Sequence, residues 1–236
     1  DRIELECELP DFHKNVYDEM MKSGKKSLEF GDFSRSMWMN IRKAANHPLL
    51  LHRIIYSDED IAEMAKLLKF EPSFAHMSLS SIVSKLHSNS DFELHFCMYE
   101  RKRLALQQRM KKKEMRESLE GVQMIDDDEF GVVDAKTQVE EEEYVKKLSE
   151  YPLPSTKSVI IDASAKMSKL MEVYYYYYYY FIYLFNFFQK LLEEFKEEKV
   201  IVFSQMTKVL DMIQFVLWEK QTKTCRLDGS TPTLER

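Results

Sequence analysis

Cys7, Cys97 and Cys225 are widely spaced, odd in number and contain no C-x-x-C pair. Neither a disulfide framework nor a zinc site follows from that spacing, and a reducing, intracellular compartment suits it. His13, His52, His76, His87 and His95 also lack metal-ligand intervals and read as surface or satisfied core residues. His47 precedes Pro48, where a histidine by itself is a turn residue. Hydroxyls at the ends of elements remain: Ser204, and Ser230 with Thr231 after Gly229. Taken alone they read as helix caps, accepting hydrogen bonds from the first N–H groups of a helix. Trp218 ends a helical run and reads as a packing anchor, and the methionines fall mostly on helical faces. No residue is assigned as catalytic or as a metal ligand.

These residues must be positioned by the elements around them. Residues 1–10 alternate charged and apolar side chains and look extended. Residues 11–29 and 33–46 carry helical periodicity, broken by Gly31 and stopped by Pro48. In residues 57–70, Ser57 can cap a helix whose first turn holds Asp58, Glu59 and Asp60, with Ile61, Met64, Leu67 and Leu68 on one face. Residues 91–120 are strongly helical in propensity. Further on, Lys199–Gln205 is a β-branched apolar run suited to a strand buried on both faces. A helical pattern over 206–219 and a second candidate strand, Thr224–Asp228, follow it. Strand, helix and strand with short links make a βαβ unit, which implies a parallel sheet and an α/β fold. Thr231 and Pro232 then suit the opening of another helix. The stop at Arg236, inside that turn, and the start at Asp1 lead to the expectation that both ends are cut.

The 236 residues, 31% of them charged and 44% hydrophobic, describe an ordinary globular composition. A net charge of −6 gives no whole-chain reason to bind nucleic acid, so any such contact must come from local geometry. The charge is nevertheless segregated. Residues 101–116 hold eight Lys/Arg against one Glu, and residues 117–150 hold twelve Asp/Glu against three Lys. Such blocks are commonly solvated faces or disordered loops. The functional alternative is a basic face for DNA with an acidic element nearby to regulate it.

Residues 174–188 hold twelve aromatics in fifteen positions, seven of them consecutive tyrosines. The run is shorter and less aliphatic than a membrane span. A strand with this bulk on both faces would not pack, and its hydroxyls would need partners. Removing 174–187 joins Met167, Leu170 and Met171 to Phe188, Leu191, Leu192 and Phe195 as one amphipathic helix. The run is therefore expected to be translated intron or repeat sequence, which a peptide spanning Val173 and the tyrosines, found by mass spectrometry, would refute.

The segment Ile41-Arg-Lys-Ala-Ala-Asn-His-Pro-Leu-Leu-Leu51 resembles the Leu-Arg-Lys-x-x-Asn-His-Pro-x-Leu signature of SWI/SNF-type superfamily 2 ATPases. Val200-Ile-Val-Phe-Ser-Gln205 is similar to motif IV of that family. Arg226-Leu-Asp-Gly-Ser-Thr-Pro-Thr-Leu-Glu-Arg236 is similar to its Leu-Asp-Gly-Ser/Thr followed by Glu/Asp-Arg. Asp162-Ala-Ser-Ala-Lys166 stands where the family has Ser-Gly-Lys, with Ala165 in place of the glycine. The stretch from Asn46 to Glu100, including Asp91-Phe-Glu-Leu-His95, resembles the SMARCAD branch. The resemblance leaves 101–150 and the tyrosine run unmatched.

The resemblance implies part of a DNA-dependent ATPase motor of the chromatin-remodelling kind. Residues 1–50 would end the first motor lobe and carry the inter-lobe helices. Residues 51–155 would be a helical and charged insertion or linker, partly disordered, and 156–236 the start of a truncated RecA-like helicase C-terminal lobe. It implies that Ser204, Gln205, Gly229, Ser230 and Thr231 face a DNA backbone. The physics agrees: strand C-termini form the ligand edge of parallel sheets, and hydroxyls, N–H groups and helix N-termini hold phosphate without reading sequence. Gly229 would let the backbone come close. ATP and Mg²⁺ would serve the intact parent. This chain has neither the G-x-x-x-x-G-K-[S/T] loop nor an Asp-Glu-x-His motif, so it is expected to hydrolyse no ATP alone and to bind no cofactor. Double-stranded DNA and nucleosomes or histones are the implied partners, the nucleus the implied location, and no membrane is involved. The competing reading is a non-catalytic helical module that binds chromatin proteins through residues 1–120.

Overall fold

The computed structural model describes residue 4 and residues 6–31, 34–119, 135–185 and 200–232. It divides into two compact units, Asp1–Leu51 with Pro154–Arg236, and His52–Leu153.

In the first unit, α1 (Asp11–Glu29) and α2 (Arg35–Asn46) pack together through Val16, Ile41 and Ala44. Gly31 leaves α1 at φ +73°, a left-handed geometry that glycine enters without a Cβ clash. Ser34 caps α2 by accepting from the Met37 N–H at 3.2 Å. Pro48, lacking an N–H, cannot continue α2 and instead opens a 3₁₀ turn, Pro48–Leu50, that is buried. A π-helical turn, Lys157–Ile161, leads to α7 (Ala165–Phe185), and α8 (Thr207–Glu219) buries Met212, Phe215 and Val216. The aromatic run from Tyr174 to Phe185 is thus helical in backbone, and Phe188, Leu191, Leu192 and Phe195 of the expected rejoined helix lie outside the described residues. No described helix is long and apolar enough to cross a membrane.

The second unit is a bundle of α3 (Asp58–Leu68), α4 (Leu79–His87), α5 (Asp91–Leu119) and α6 (Ala135–Glu150). Ser57 and Asp60 form the capping box at the start of α3, with bonds of 3.2 Å and 2.7 Å. Ser90 and Glu93 repeat the device on α5. Ile61, Met64 and Leu68 of α3 meet Ile82, Leu94 and Met98 in a core closed by Leu148 and Tyr151. Asp91, fully buried, accepts from three successive backbone N–H groups, those of Arg53, Ile54 and Ile55, at 2.8, 2.7 and 2.6 Å. Those bonds hold Arg53 at φ +62°, which a non-glycine residue adopts only under such constraint.

The α/β expectation is overturned. The fold is 67% helix, and among the described residues no strand pairs with another. Val200–Gln205 and Thr224–Asp228 are without regular structure, and Val200, Ile201 and Phe203 are 73%, 75% and 91% exposed. A parallel strand is stable only with neighbours on its edges and helices over its faces, and two short candidates do not meet that requirement. Helices close their hydrogen bonds locally and form without that help.

Candidate nucleic-acid interface

Within the first unit, Ser204 and Gln205 line a cleft of about 500 Å³ together with Arg42, Asn46, Lys166, Phe203 and Met206. Asn46 is its junction. The side-chain amide donates to the Arg42 carbonyl at 2.8 Å and to the Met206 sulfur at 3.6 Å, and its oxygen accepts from Lys166 Nζ at 2.9 Å. The Asn46 carbonyl accepts from Ser164 Oγ at 3.0 Å. Arg42 donates to Gln205 Oε1 at 2.8 Å, which fixes the guanidinium beside the residue expected from the sequence. Ser204 Oγ accepts from the Met206 N–H at 3.2 Å, at the entry to α8. One cleft therefore gathers a guanidinium, an ammonium, a hydroxyl and a carboxamide.

Two histidines set the rear of this arrangement. His47 Nδ1 accepts from the Leu49 N–H at 3.0 Å, so its Nε2 carries the proton and donates to the Ile160 carbonyl at 2.8 Å. Burial pushes its pKa down to about 4, and the imidazole is neutral at physiological pH. His13 is held the same way: Nε2 donates to the Ala44 carbonyl at 2.7 Å and Nδ1 accepts from the Ala165 N–H at 3.4 Å. Desolvation lowers its pKa too, against the Ala44 hydrogen bond and helped by Lys166. His47 and His13 are therefore braces that bind α2 to the segment 160–166, and both are charge-neutral.

Gly229, Ser230 and Thr231 do not line the cleft. Their loop closes on itself around Asp228, whose Oδ1 accepts from the Ser230 N–H at 2.8 Å and from Ser230 Oγ at 2.6 Å. Thr231 Oγ1 accepts from the Asp228 N–H at 2.9 Å, and Arg226 Nε donates to Asp228 Oδ2 at 2.6 Å. These bonds, Ser230 first, hold the Asp228 carboxyl at a pKa of about 2. Arg226 also pairs with Asp211 of α8. Of the helix expected to open at Thr231 and Pro232, residues 233–236 lie outside the described residues. The five sequence-derived residues thus fall into two groups, one on the cleft and one on a self-satisfied loop.

Sequence reasoning assigned no role to Arg42, Asn46 or Lys166. The signal was present in part, because Asn46 sits inside the motif that carried the family resemblance. Its side-chain partners are 120 and 160 residues away, which no local pattern discloses. No group of three or more metal-ligating side chains exists among the described residues.

No family model matches the chain. The curated SWI/SNF-related matrix-associated actin-dependent regulator of chromatin subfamily A containing DEAD/H box 1 of Xenopus tropicalis is 27% identical over 241 residues, covering 100% of this chain and 17% of that protein. The ATP-dependent helicase FUN30 of Saccharomyces cerevisiae is 26% identical over 249 residues, covering 98% of this chain and 16% of that protein. The Homo sapiens counterpart of the first is 37% identical over 98 residues, 40% of this chain and 9% of that protein. The chain therefore spans about a sixth of the length of the relatives that it matches throughout. Among solved structures, the C-terminal part of the Fun30 ATPase domain shares the fold with a TM-score of 0.54 at 22% identity, over 98% of this chain and 60% of that one.

Proposed function

Since its homologues are SNF2-family helicase-like ATPases of the SMARCAD and Fun30 kind, we propose that the chain supplies second-lobe elements of an ATP-dependent, DNA-translocating chromatin remodeller. Its own part is to hold the backbone of double-stranded DNA in nucleosomes, within the nucleus. The observation that carries this reading is the cleft in which Arg42 and Lys166 flank Ser204 and Gln205. Two cations supply attraction to phosphate, and the hydroxyl and carboxamide supply directed hydrogen bonds with no base to read. Gly229, Ser230 and Thr231 join the contact when phosphate oxygens replace the Asp228 carboxylate as acceptor for Ser230.

ATP belongs to the parent activity, and these residues do not fit it. Lys166 stands at the start of α7 as a phosphate-loop lysine would, but no glycine loop precedes it. The Ala165 N–H goes to His13 and the Lys166 ammonium to Asn46. No hydrolytic step is therefore assigned to this chain.

Duplex binding measured by fluorescence anisotropy over a range of salt tests the proposal. Arg42→Gln and Lys166→Gln should each reduce the slope of log K against log salt by about 0.9. Ser204→Ala with Gln205→Ala should weaken binding by about 1–3 kcal/mol while leaving that slope unchanged. Affinity and slope that stay at wild-type values in all these variants would sink the assignment.

A further inference from the structure

The basic block of the sequence lies on α5, and that stretch of helix has an inner and an outer face. Ala105, buried in the core of the bundle, marks the inner one. At 100° per residue, Lys102, Arg109 and Lys112 stand within about 60° of it. All three are taken up at or just beyond α6: Lys102 donates to the Tyr151 carbonyl, Arg109 donates to Ser149 Oγ, and Lys112 pairs with Glu142.

The outer face is built differently. Tyr99, Leu106 and Met110 fall within an arc of about 40°, centred about 120° round from Ala105. Leu106 and Met110 are 43% and 64% exposed, and Tyr99 is partly buried. Gln107 and Lys111 stand next to them at about 200° and 240°, both exposed. An apolar row of one residue's width, set in a block with eight Lys/Arg against one Glu, is thus turned to solvent.

This form selects its partner. Anchors at i, i+7 and i+11 make a single ridge, which is how a helix enters the apolar groove of another protein. A helix lying on a membrane needs a broad apolar face instead. Phosphates of a nucleic acid offer Leu106 and Met110 no apolar contact. The surrounding cations ask for an acidic rim. A methionine-lined groove with acidic surroundings, opened by calcium, is the lobe of a sensor EF-hand protein, and basic amphipathic helices are its targets.

We propose that the outer face of α5, from Tyr99 to Lys111, docks one calcium-loaded lobe of an EF-hand protein of the calmodulin type. Leu106 and Met110 enter the groove, and Lys111 pairs with carboxylates on its rim. Gln107, with both a donor and an acceptor, bonds to backbone at the groove edge. The contacts to α6 use the inner face, so the bundle stays intact. No residue of the cleft takes part, and the proposal is independent of the DNA reading.

The experiment is calorimetric titration of the full chain with calmodulin, in calcium and in EGTA. Binding should be about tenfold tighter in calcium, because the groove opens. Calcium also cancels part of calmodulin's negative charge, so attraction by charge alone would change in the opposite direction. Leu106→Ala with Met110→Ala alters no charge and should weaken binding about tenfold to a hundredfold. The urea midpoint of that chain should stay at the wild-type value, since both side chains are at the surface. Lys111→Gln should weaken binding about threefold and flatten its salt dependence. Phosphatidylserine vesicles and a random duplex, titrated in parallel, should be indifferent to the Leu106→Ala, Met110→Ala pair. Absence of calmodulin binding, equal binding in calcium and EGTA, or binding untouched by that pair overturns the proposal. Vesicles or duplex that depend on the two residues in calmodulin's place would give the face to a membrane or to DNA instead.

Discussion

At the residue scale, the histidines do structural work that depends on their being neutral. His47 and His95 are both buried, and burial pushes each pKa down to about 4. His95 shares Nδ1 with the Tyr56 hydroxyl at 2.9 Å, while its Nε2 meets no partner among the described residues. An unfolded histidine ionises near 6.5, so the unfolded chain takes up protons first. The stability each contributes is whole above about pH 6.5 and is lost as pH falls toward 4, to as much as about 3 kcal/mol per residue. Urea unfolding at pH 7.5, 5.5 and 4.5, with hydrogen exchange reading each unit, should show both units weakening on acidification. His47→Gln should flatten that dependence in the unit holding α2, and His95→Gln in the bundle. An identical slope in wild-type and variant chains would remove these two residues from the account.

At the element scale, Leu148 anchors α6 in the core of the bundle. Leu148→Ala should cost about 2–4 kcal/mol through lost burial and the cavity left behind. Urea midpoints would read the loss, and exchange in α6 should rise more than exchange in α3. Comparison of elements also shows what the sequence disclosed. The helix expected over 11–29 is Asp11–Glu29, and the Ser57 cap with its acidic first turn is in place. Local periodicity and capping carry that information. The candidate strands failed because a strand is defined by its neighbours, which no run of β-branched residues can supply for itself. The cleft was half legible for the same reason. Ser204 and Gln205 stood in a recognisable motif, whereas the partners that make Asn46 and Lys166 useful come from distant segments. Nothing in the local pattern marks Asp91, because its three backbone partners lie 36 to 38 residues upstream.

At the scale of the whole molecule, an apolar ribbon stands open to solvent. Val200, Ile201 and Phe203 lie in a segment without regular structure whose backbone has no ladder partner among the described residues. Such a segment is a template for pairing with another chain. Ile201→Lys should raise the concentration at which light scattering first detects self-association, and an unaltered threshold would place the contact elsewhere. His52–Leu153 is continuous in sequence, while the other unit is assembled from residues on either side of it. Tyr56 and Tyr151, near the two ends of the continuous unit, share one core. Once that bundle folds, the stretch between the two segments of the other unit is a packed core instead of a flexible loop of about 100 residues. Closing such a loop would otherwise cost on the order of 4 kcal/mol of chain entropy. A bundle that folds first would therefore lower the entropic cost of assembling the discontinuous unit.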